Sequence, residues 1–255
     1  MNNFLTVKKE IKKTPVVESF PLKNQGVLVT ELYNEKEMVR CREYEYCLQE
    51  NLKNPYFKEI HILYQTTKNH DLKREHLYNR IYSISQANPK VKIYFIEKRL
   101  TFQGIFSHAN SRIKNSVIVA AVADTYVESG IEKLNNLNMD NLFITLTLHT
   151  AKHHTHNPHL APNCQGVYIF KTPIQADFFT NFVWSTWGSD NRIVAEIDRS
   201  QKYKIFNPAL DIIFQEYHSS HIRHHQPRKI VPRPWKAIHP HLSTFEGIPN
   251  VFPWR

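Results

Sequence analysis

The chain has 255 residues, of which 41% are apolar and 22% charged, and its formal net charge is +10. Those values exclude a mostly disordered polymer and leave room for one large domain or two small ones around a sizeable core. The longest apolar run, Val117 to Ala123, has seven residues, whereas a membrane-spanning helix needs about 20.

The basic balance favours anionic partners: nucleotides, nucleic acid or a lipid surface. The charge is dispersed, and it concentrates only at Lys8, Lys9, Lys12 and Lys13 and between Arg223 and Arg233. Cys41, Cys47 and Cys164 form no CxxC pair, which predicts a reduced, cytoplasmic protein. No apolar run follows the first lysines, so no signal peptide is expected. Peripheral contact with the inner face of a membrane stays open.

Residues 1–24 lack a steady period and read as a loose arm. GVLVTEL (26–32) predicts a buried strand, with Asn34 placed to cap the helix after it. In that helix Met38, Cys41, Tyr44, Leu48 and Leu52 recur every three or four residues as one apolar stripe. Asn54-Pro55 ends it. EIHILYQ (59–65) predicts a second strand, 66–88 a charged and mildly helical stretch, KIYFIEK (92–98) a third strand, and 101–115 a helix. SVIVAAVAD (116–124) has the unbroken β-branched and small-residue texture of a central parallel strand buried on both faces.

Residues 128–137 read as helical, LFITLTLH (142–149) as a strand, 151–164 as a histidine-rich loop, and GVYIFK (166–171) as a strand. From 187 to 223 come a glycine turn, a helix opened by Asp190, an Asn-Pro turn, a short apolar strand, and then His218 and Arg223. Residues 226–255 hold six prolines and predict an extended tail packed on the domain. Strands alternating with helices predict an α/β fold: one domain over 25–225 with a mostly parallel central sheet flanked by helices. In such sheets ligands bind outside the strand C-terminal ends.

Missing motifs narrow the chemistry. There is no G-x-x-x-x-G-K-[ST], no G-x-G-x-x-G, no G-x-S-x-G and no H-E-x-x-H. P-loop NTPases, Rossmann dehydrogenases, α/β-hydrolases and zincins are disfavoured. Asp124, at the end of the central strand, suits Mg²⁺ or Mn²⁺ shared with substrate phosphates, or else caps a following helix. Asp190 is a general base or an N-cap. His218 and Arg223 are a metal ligand and a phosphate clamp, or parts of a solvated basic surface. The histidines at 149, 153, 154, 156 and 159 lie around Asn157-Pro158, which argues against the helical spacing of a zinc site.

Six segments, in order, resemble a group of small GT-A-type glycosyltransferases of bacteria and large algal DNA viruses: RLTFQGIFSHAN (99–110), VAAVADTYVESGIEKL (119–134), CQGVYIFK (164–171), WGSDNRI (187–193), NPALDI with HSSHIR (207–223) and VPRPWKAIHPHL (231–242). The resemblance spans roughly residues 25 to 242. It implies a GT-A-like domain that moves a sugar from a nucleotide-diphosphate donor, UDP-linked by expectation, to a hydroxyl on a glycan or lipid-linked acceptor, with inversion. It implies Mn²⁺ or Mg²⁺ on Asp124 and His218, Asp190 as the catalytic base, and a nucleotide-sugar pocket formed by Thr30, Tyr33, Arg99, Asn110, Asp124 and Arg223. It also implies no specific nucleic-acid partner.

The chain departs from that pattern at Val122, where the family has a polar residue, at Gly166, where it has a carboxylate, and at Glu216, where it has a histidine. Glu128 is a further candidate metal ligand. The departures keep alive a binding protein that holds a sugar or nucleotide without turnover. A basic nucleic-acid-binding protein is the weaker alternative, because no recognised binding motif is visible.

Overall fold

The computed structural model describes residues 25–66, 71–135, 137–150, 161–175, 177–222, 230–243 and 251–253. Its strands are β1 (Gly26–Tyr33), β2 (Phe57–Gln65), β3 (Val91–Ile96), β4 (Val117–Ala121), β5 (Thr125–Ser129), β6 (Leu142–Thr147), β7 (His149–Thr150), β8 (Gln165–Lys171), β9 (Lys204–Phe206), β10 (Ile213–Glu216), β11 (Lys236–Ile238) and β12 (Val251–Pro253). The α-helices are α1 (Met38–Lys53), α2 (His76–Ala87), α3 (Phe102–Arg112) and α4 (Ser189–Ser200). Short 3₁₀ turns cover Leu72–Arg74 and Ile131–Leu134.

The central sheet has seven strands in the order β3-β2-β1-β4-β8-β6-β9. β3, β2, β1 and β4 pair in parallel, β8 runs antiparallel to both β4 and β6, and β9 pairs in parallel with β6. Only β8 therefore runs against the rest, and the sheet is mostly parallel, as expected. Every residue of β4 is buried, which is why its run carries no polar alternation. Two apolar cores flank the sheet. One joins Leu28, Ile60, Ile62 and Val119 to Cys41, Tyr44 and Leu48 of α1. The other joins Val27, Val29, Ile118 and Phe170 to Phe102, Ile105 and Phe106 of α3 and to Ile193, Val194 and Ile197 of α4.

Several local expectations are corrected. The stretch 128–137 is not a helix: β5 occupies its start and a 3₁₀ turn follows. β5 pairs antiparallel with β10 in a second, three-stranded sheet, and that cross-strand partner lies too far along the chain for local periodicity to reveal. Asn34 does not cap α1. Glu37 occupies that position without a side-chain cap, and Glu35 Oε1 accepts from the Glu37 N–H at 2.9 Å instead. β4 stops at Ala121, three residues short of Asp124.

The proline-rich segment packs where it is described. Val231 and Ile238 enter the α4-side core, and β11 pairs antiparallel with β12. The Trp235 ring lies 3.0–3.1 Å from where a Cβ on Gly188 would stand. Gly188 has φ +80°, so glycine is required there on two counts. Most of the histidine-rich loop lies outside the described residues. His149 is buried on β7, with Nε2 2.7 Å from the Ala209 carbonyl oxygen. No helix among the described residues is long and apolar enough to cross a membrane.

Candidate active site

A tight turn presents Asp124 at the C-terminal end of β4. The Thr125 N–H and hydroxyl both donate to the Val122 carbonyl, at 3.2 and 2.7 Å. Asn51 of α1 clamps the start of β5 from the other side. Its Nδ2 donates to the Thr125 carbonyl at 2.9 Å, and its Oδ1 accepts from the Val127 N–H at 3.1 Å. The turn is thus fixed by backbone and amide contacts, and the Asp124 carboxylate is left for other partners.

Those partners come from α1 and from the end of β10. The Arg40 Nη2 donates to Asp124 Oδ2 at 2.9 Å and to the Tyr44 hydroxyl at 2.9 Å. The Arg40 Nη1 donates to Glu43 Oε2 at 2.5 Å and also meets His218 Nδ1. His218 Nδ1 stands 3.5 Å from Asp124 Oδ2. Arg40 and Glu43 are both buried, although they lie on a helix whose apolar stripe runs beside them.

The antiparallel ladder brings His218 to Asp124. Glu216 is paired with Thr125, and the Tyr217 N–H donates to the Asp124 carbonyl at 2.7 Å. Glu216 and His218 are two residues apart in extended chain, so both face the same way. Glu43 then holds the loop beyond: its carboxylate accepts from the Ser220 N–H at 2.6 Å and from the Ser219 hydroxyl at 2.9 Å.

Burial pushes the Asp124 carboxyl up, but the Arg40 guanidinium, charged and hydrogen-bonded to it, helps hold the group below the usual carboxylate range. Glu43 is likewise lowered: burial opposes, and the Ser220 amide, the Ser219 hydroxyl and Arg40 prevail. Both groups are therefore carboxylates at neutral pH. Asp124, Glu216 and His218 each offer a ligand atom, and those atoms lie within 4.8 Å of one another. Among the described residues the buried His218 Nε2 has no hydrogen-bond partner. Two carboxylates and an imidazole fit a divalent cation such as Mn²⁺ or Mg²⁺, and an orphaned ring nitrogen is what such a site leaves when the ion is not counted.

Asp190 occupies the first turn of α4, next to the left-handed Gly188. Its Oδ1 accepts from the Asn191 N–H at 3.0 Å. Burial raises its carboxyl to about 7, against the opposing pull of the Asn191 and Gln165 amides. Gln165 opens β8, and the next residue, Gly166, accepts from the Val122 N–H at 3.1 Å. One short backbone path therefore links the Asp190 carboxylate to the turn that carries Asp124. A Cβ at Gly166 would stand 2.4 Å from Leu148 Cδ1, so the side chain that the family pattern has there would have to displace the Leu148 side chain.

The other sequence candidates divide. Thr30 is buried on β1 and its hydroxyl has no partner among the described residues. It lines a narrow pocket with Tyr44, Val122, Ala123 and Thr125. The Tyr33 hydroxyl shares a 3.1 Å hydrogen bond with Tyr44 and donates to Glu35 at 3.3 Å, next to Arg40. Arg99 is exposed at the same sheet edge, and the next residue, Leu100, donates its N–H to the buried Glu31 of β1 at 2.7 Å.

Asn110 is not brought to this edge. It sits near the far end of α3, with Nδ2 donating to the Ile174 carbonyl and Oδ1 accepting from the Ile174 N–H, both at 2.9 Å. Ile174 follows the end of β8 that pairs with the start of β4, so Asn110 is at the opposite rim. Glu128 lies on β5, not on a helix, and accepts from Gln215 Nε2. Arg223 lies outside the described residues. Sequence reasoning missed Arg40, Glu43 and Tyr44. The available signal was a pair of opposite charges set into the flank of the Cys41, Tyr44, Leu48 stripe.

Neither a protein-family profile nor a curated protein sequence matches the chain. Solved structures do. A mannosyltransferase from Pyrobaculum calidifontis, determined in complex with GDP-Man and Mn²⁺, matches at TM-score 0.51 with 11% identity, over 78% of this chain and 58% of that one. The fold is of the GT-A glycosyltransferase type. At that identity the likeness speaks for the fold alone, and the chain spans little more than half the length of that enzyme. GalNAc-T7 with UDP, GalNAc and Mn²⁺ matches at 0.38 with 13% identity, over 49% of this chain and 23% of that one. HddC from Yersinia pseudotuberculosis matches at 0.35 with 15% identity, over 58% and 74%. At those scores neither bears on the site.

Proposed function

We propose that the protein is a metal-dependent glycosyltransferase that moves a sugar from a nucleotide-diphosphate donor to a hydroxyl of a glycan or lipid-linked acceptor. The observation that carries the reading is the Asp124, Glu216 and His218 cluster at the C-terminal edge of a GT-A sheet, with His218 Nε2 buried and unpartnered among the described residues. Asp124, Glu216 and His218 would hold Mn²⁺ or Mg²⁺. When bound, such an ion neutralises charge on a leaving diphosphate.

The rest of the chemistry belongs to the chain. Thr30, Tyr33 and Arg99 border the donor side of the sheet edge. Asp190 takes the proton of the acceptor hydroxyl as the acceptor oxygen bonds to the anomeric carbon and the bond to the diphosphate breaks. A carboxyl raised to about 7 suits a base working near neutral pH. One base and one displacement imply inversion. Asn110, with both amide atoms engaged at the far rim, has no place in this scheme.

A second reading, donor binding without transfer, draws support from Gly166, which stands where the family pattern has a carboxylate. Calorimetry of UDP- and GDP-sugars with and without Mn²⁺ tests the first step. The account expects one nucleotide class to bind only with the metal, and His218→Ala to weaken or abolish that binding. Metal-independent binding unchanged in His218→Ala contradicts it. Transfer by the wild type separates the two readings, and Asp190→Asn should lose most of that transfer while keeping donor binding.

A further inference from the structure

The cluster already contains a cation. The Arg40 guanidinium lies between Asp124, Glu43, Tyr44 and His218, and Arg40, Glu43 and Tyr44 are buried. Among the described residues its Nε has no hydrogen-bond partner, so the side chain is not fully satisfied where it rests. We propose that Arg40 is the resident counter-ion of the metal-free site, and that a divalent cation binds only as Arg40 gives up His218. This rests on the assignment of Asp124, Glu216 and His218 as metal ligands.

The argument is one of lone pairs. Guanidinium has only donors, so the Arg40 contact to His218 Nδ1 uses the single lone pair of a neutral imidazole. His218 Nε2 then carries the ring proton and is a donor. Coordination through Nδ1 needs the lone pair that Arg40 holds. Coordination through the orphaned Nε2 moves the proton to Nδ1, where N–H would face the Arg40 N–H. Either nitrogen can ligate an ion only after Arg40 withdraws from His218. Asp124 is less exclusive, because a carboxylate accepts at several positions and can keep Arg40 while sharing an ion.

Charge acts in the same direction. Asp124 and Glu43 are two carboxylates on one guanidinium, and Glu216 stands beside Asp124. Removing the guanidinium deepens the negative field into which a divalent ion would bind, and leaving it in place opposes that ion. Metal and Arg40 are thus coupled unfavourably, and the coupling is reciprocal.

The test is Mn²⁺ binding followed by loss of the free-ion electron paramagnetic resonance signal, on the full chain without nucleotide. Arg40→Met should bind Mn²⁺ at least about tenfold more tightly than the wild type, within the range of ordinary site-to-site couplings. Arg40→Lys, which keeps the charge, should stay near the wild type, and Asp124→Asn should lose the site. A wild-type measurement guards against failure of Arg40→Met to fold. In ¹⁵N-arginine-labelled protein, the side-chain signal missing from Arg40→Lys should shift on saturation with Mg²⁺. Equal or weaker Mn²⁺ binding by Arg40→Met, or an unmoved Arg40 signal at saturation, overturns the proposal while leaving the metal site intact. Mn²⁺ bound by neither the wild type nor Arg40→Met overturns the proposal and the metal reading together.

Discussion

The Glu43 carboxylate accepts the Ser220 N–H at 2.6 Å, tying the first helix to the loop that carries His218. The same carboxylate meets Arg40 Nη1 at 2.5 Å, so one buried side chain fixes both a guanidinium and a ligand-bearing loop. Glu43→Ala leaves the buried Arg40 short of a partner and releases Ser219 and Ser220. Loss of one member of a buried ion pair costs about 3–5 kcal/mol, and urea unfolding should show a loss of that size. A change under 1 kcal/mol would mean that the loop is held by something else.

Acid should weaken this corner first. Asp124 and Glu43 have folded values below their ordinary 3.8 and 4.5. Their stabilising contribution is complete above those ordinary values and is lost as pH falls through the lower folded ones. Denaturation monitored from pH 6 down to pH 2 should therefore steepen below about pH 4.5 in the wild type. In Asp124→Asn the slope should be smaller over the same window.

Asp190 behaves in the opposite sense. Its carboxyl rises from 3.8 to about 7, so between those values the native state keeps a proton that the unfolded chain has lost. The neutral form's stabilisation is complete below pH 3.8 and disappears as pH rises through about 7. Asp190→Asn should therefore be more stable than the wild type at pH 8, by about 2–4 kcal/mol, and nearly equal to it at pH 4. Transfer should show an acid limb with its midpoint near 7, and Asp190→Asn should lose roughly 10²–10⁴-fold in rate. A flat pH profile, or a fully active Asp190→Asn, removes Asp190 from the chemistry.

Gly188 supplies a packing test beside the same residue. Its φ is +80°, and a Cβ would come within 3.0–3.1 Å of the Trp235 ring. Gly188→Ala should cost about 1–2 kcal/mol for the left-handed backbone alone, with a further loss from the clash. Adding Trp235→Ala should recover the clash but not the backbone share, so the two changes combine non-additively. Strictly additive losses would show that the ring yields freely.

Much of the frame was legible because its signals are local. The α1 stripe of Cys41, Tyr44 and Leu48, the β-branched run of β4, and Asn54-Pro55 each state their element within a few residues. The stretch 128–137, expected to be helical, instead opens on the end of β5 and continues as a 3₁₀ turn, because β5 depends on pairing with β10, whose Phe214 lies opposite Val127. The site divides on the same ground. Asp124, Asp190 and His218 stood out by position in their segments. Arg40 did not, because its meaning lies in contacts 84 and 178 residues away. Asn110 was placed in the pocket by resemblance, but its amide is spent on Ile174.

The central claim is that Asp124 anchors a divalent ion that in turn holds an activated sugar. The most direct measurement is thermal denaturation of wild type and Asp124→Asn against UDP- and GDP-sugars, with and without Mn²⁺. Ligand at 100 times its Kd stabilises the native state by about 2.7 kcal/mol. The account predicts a rise in Tm for the wild type with one nucleotide class plus Mn²⁺, and none for Asp124→Asn. An equal rise in both proteins, or a rise that ignores Mn²⁺, contradicts it.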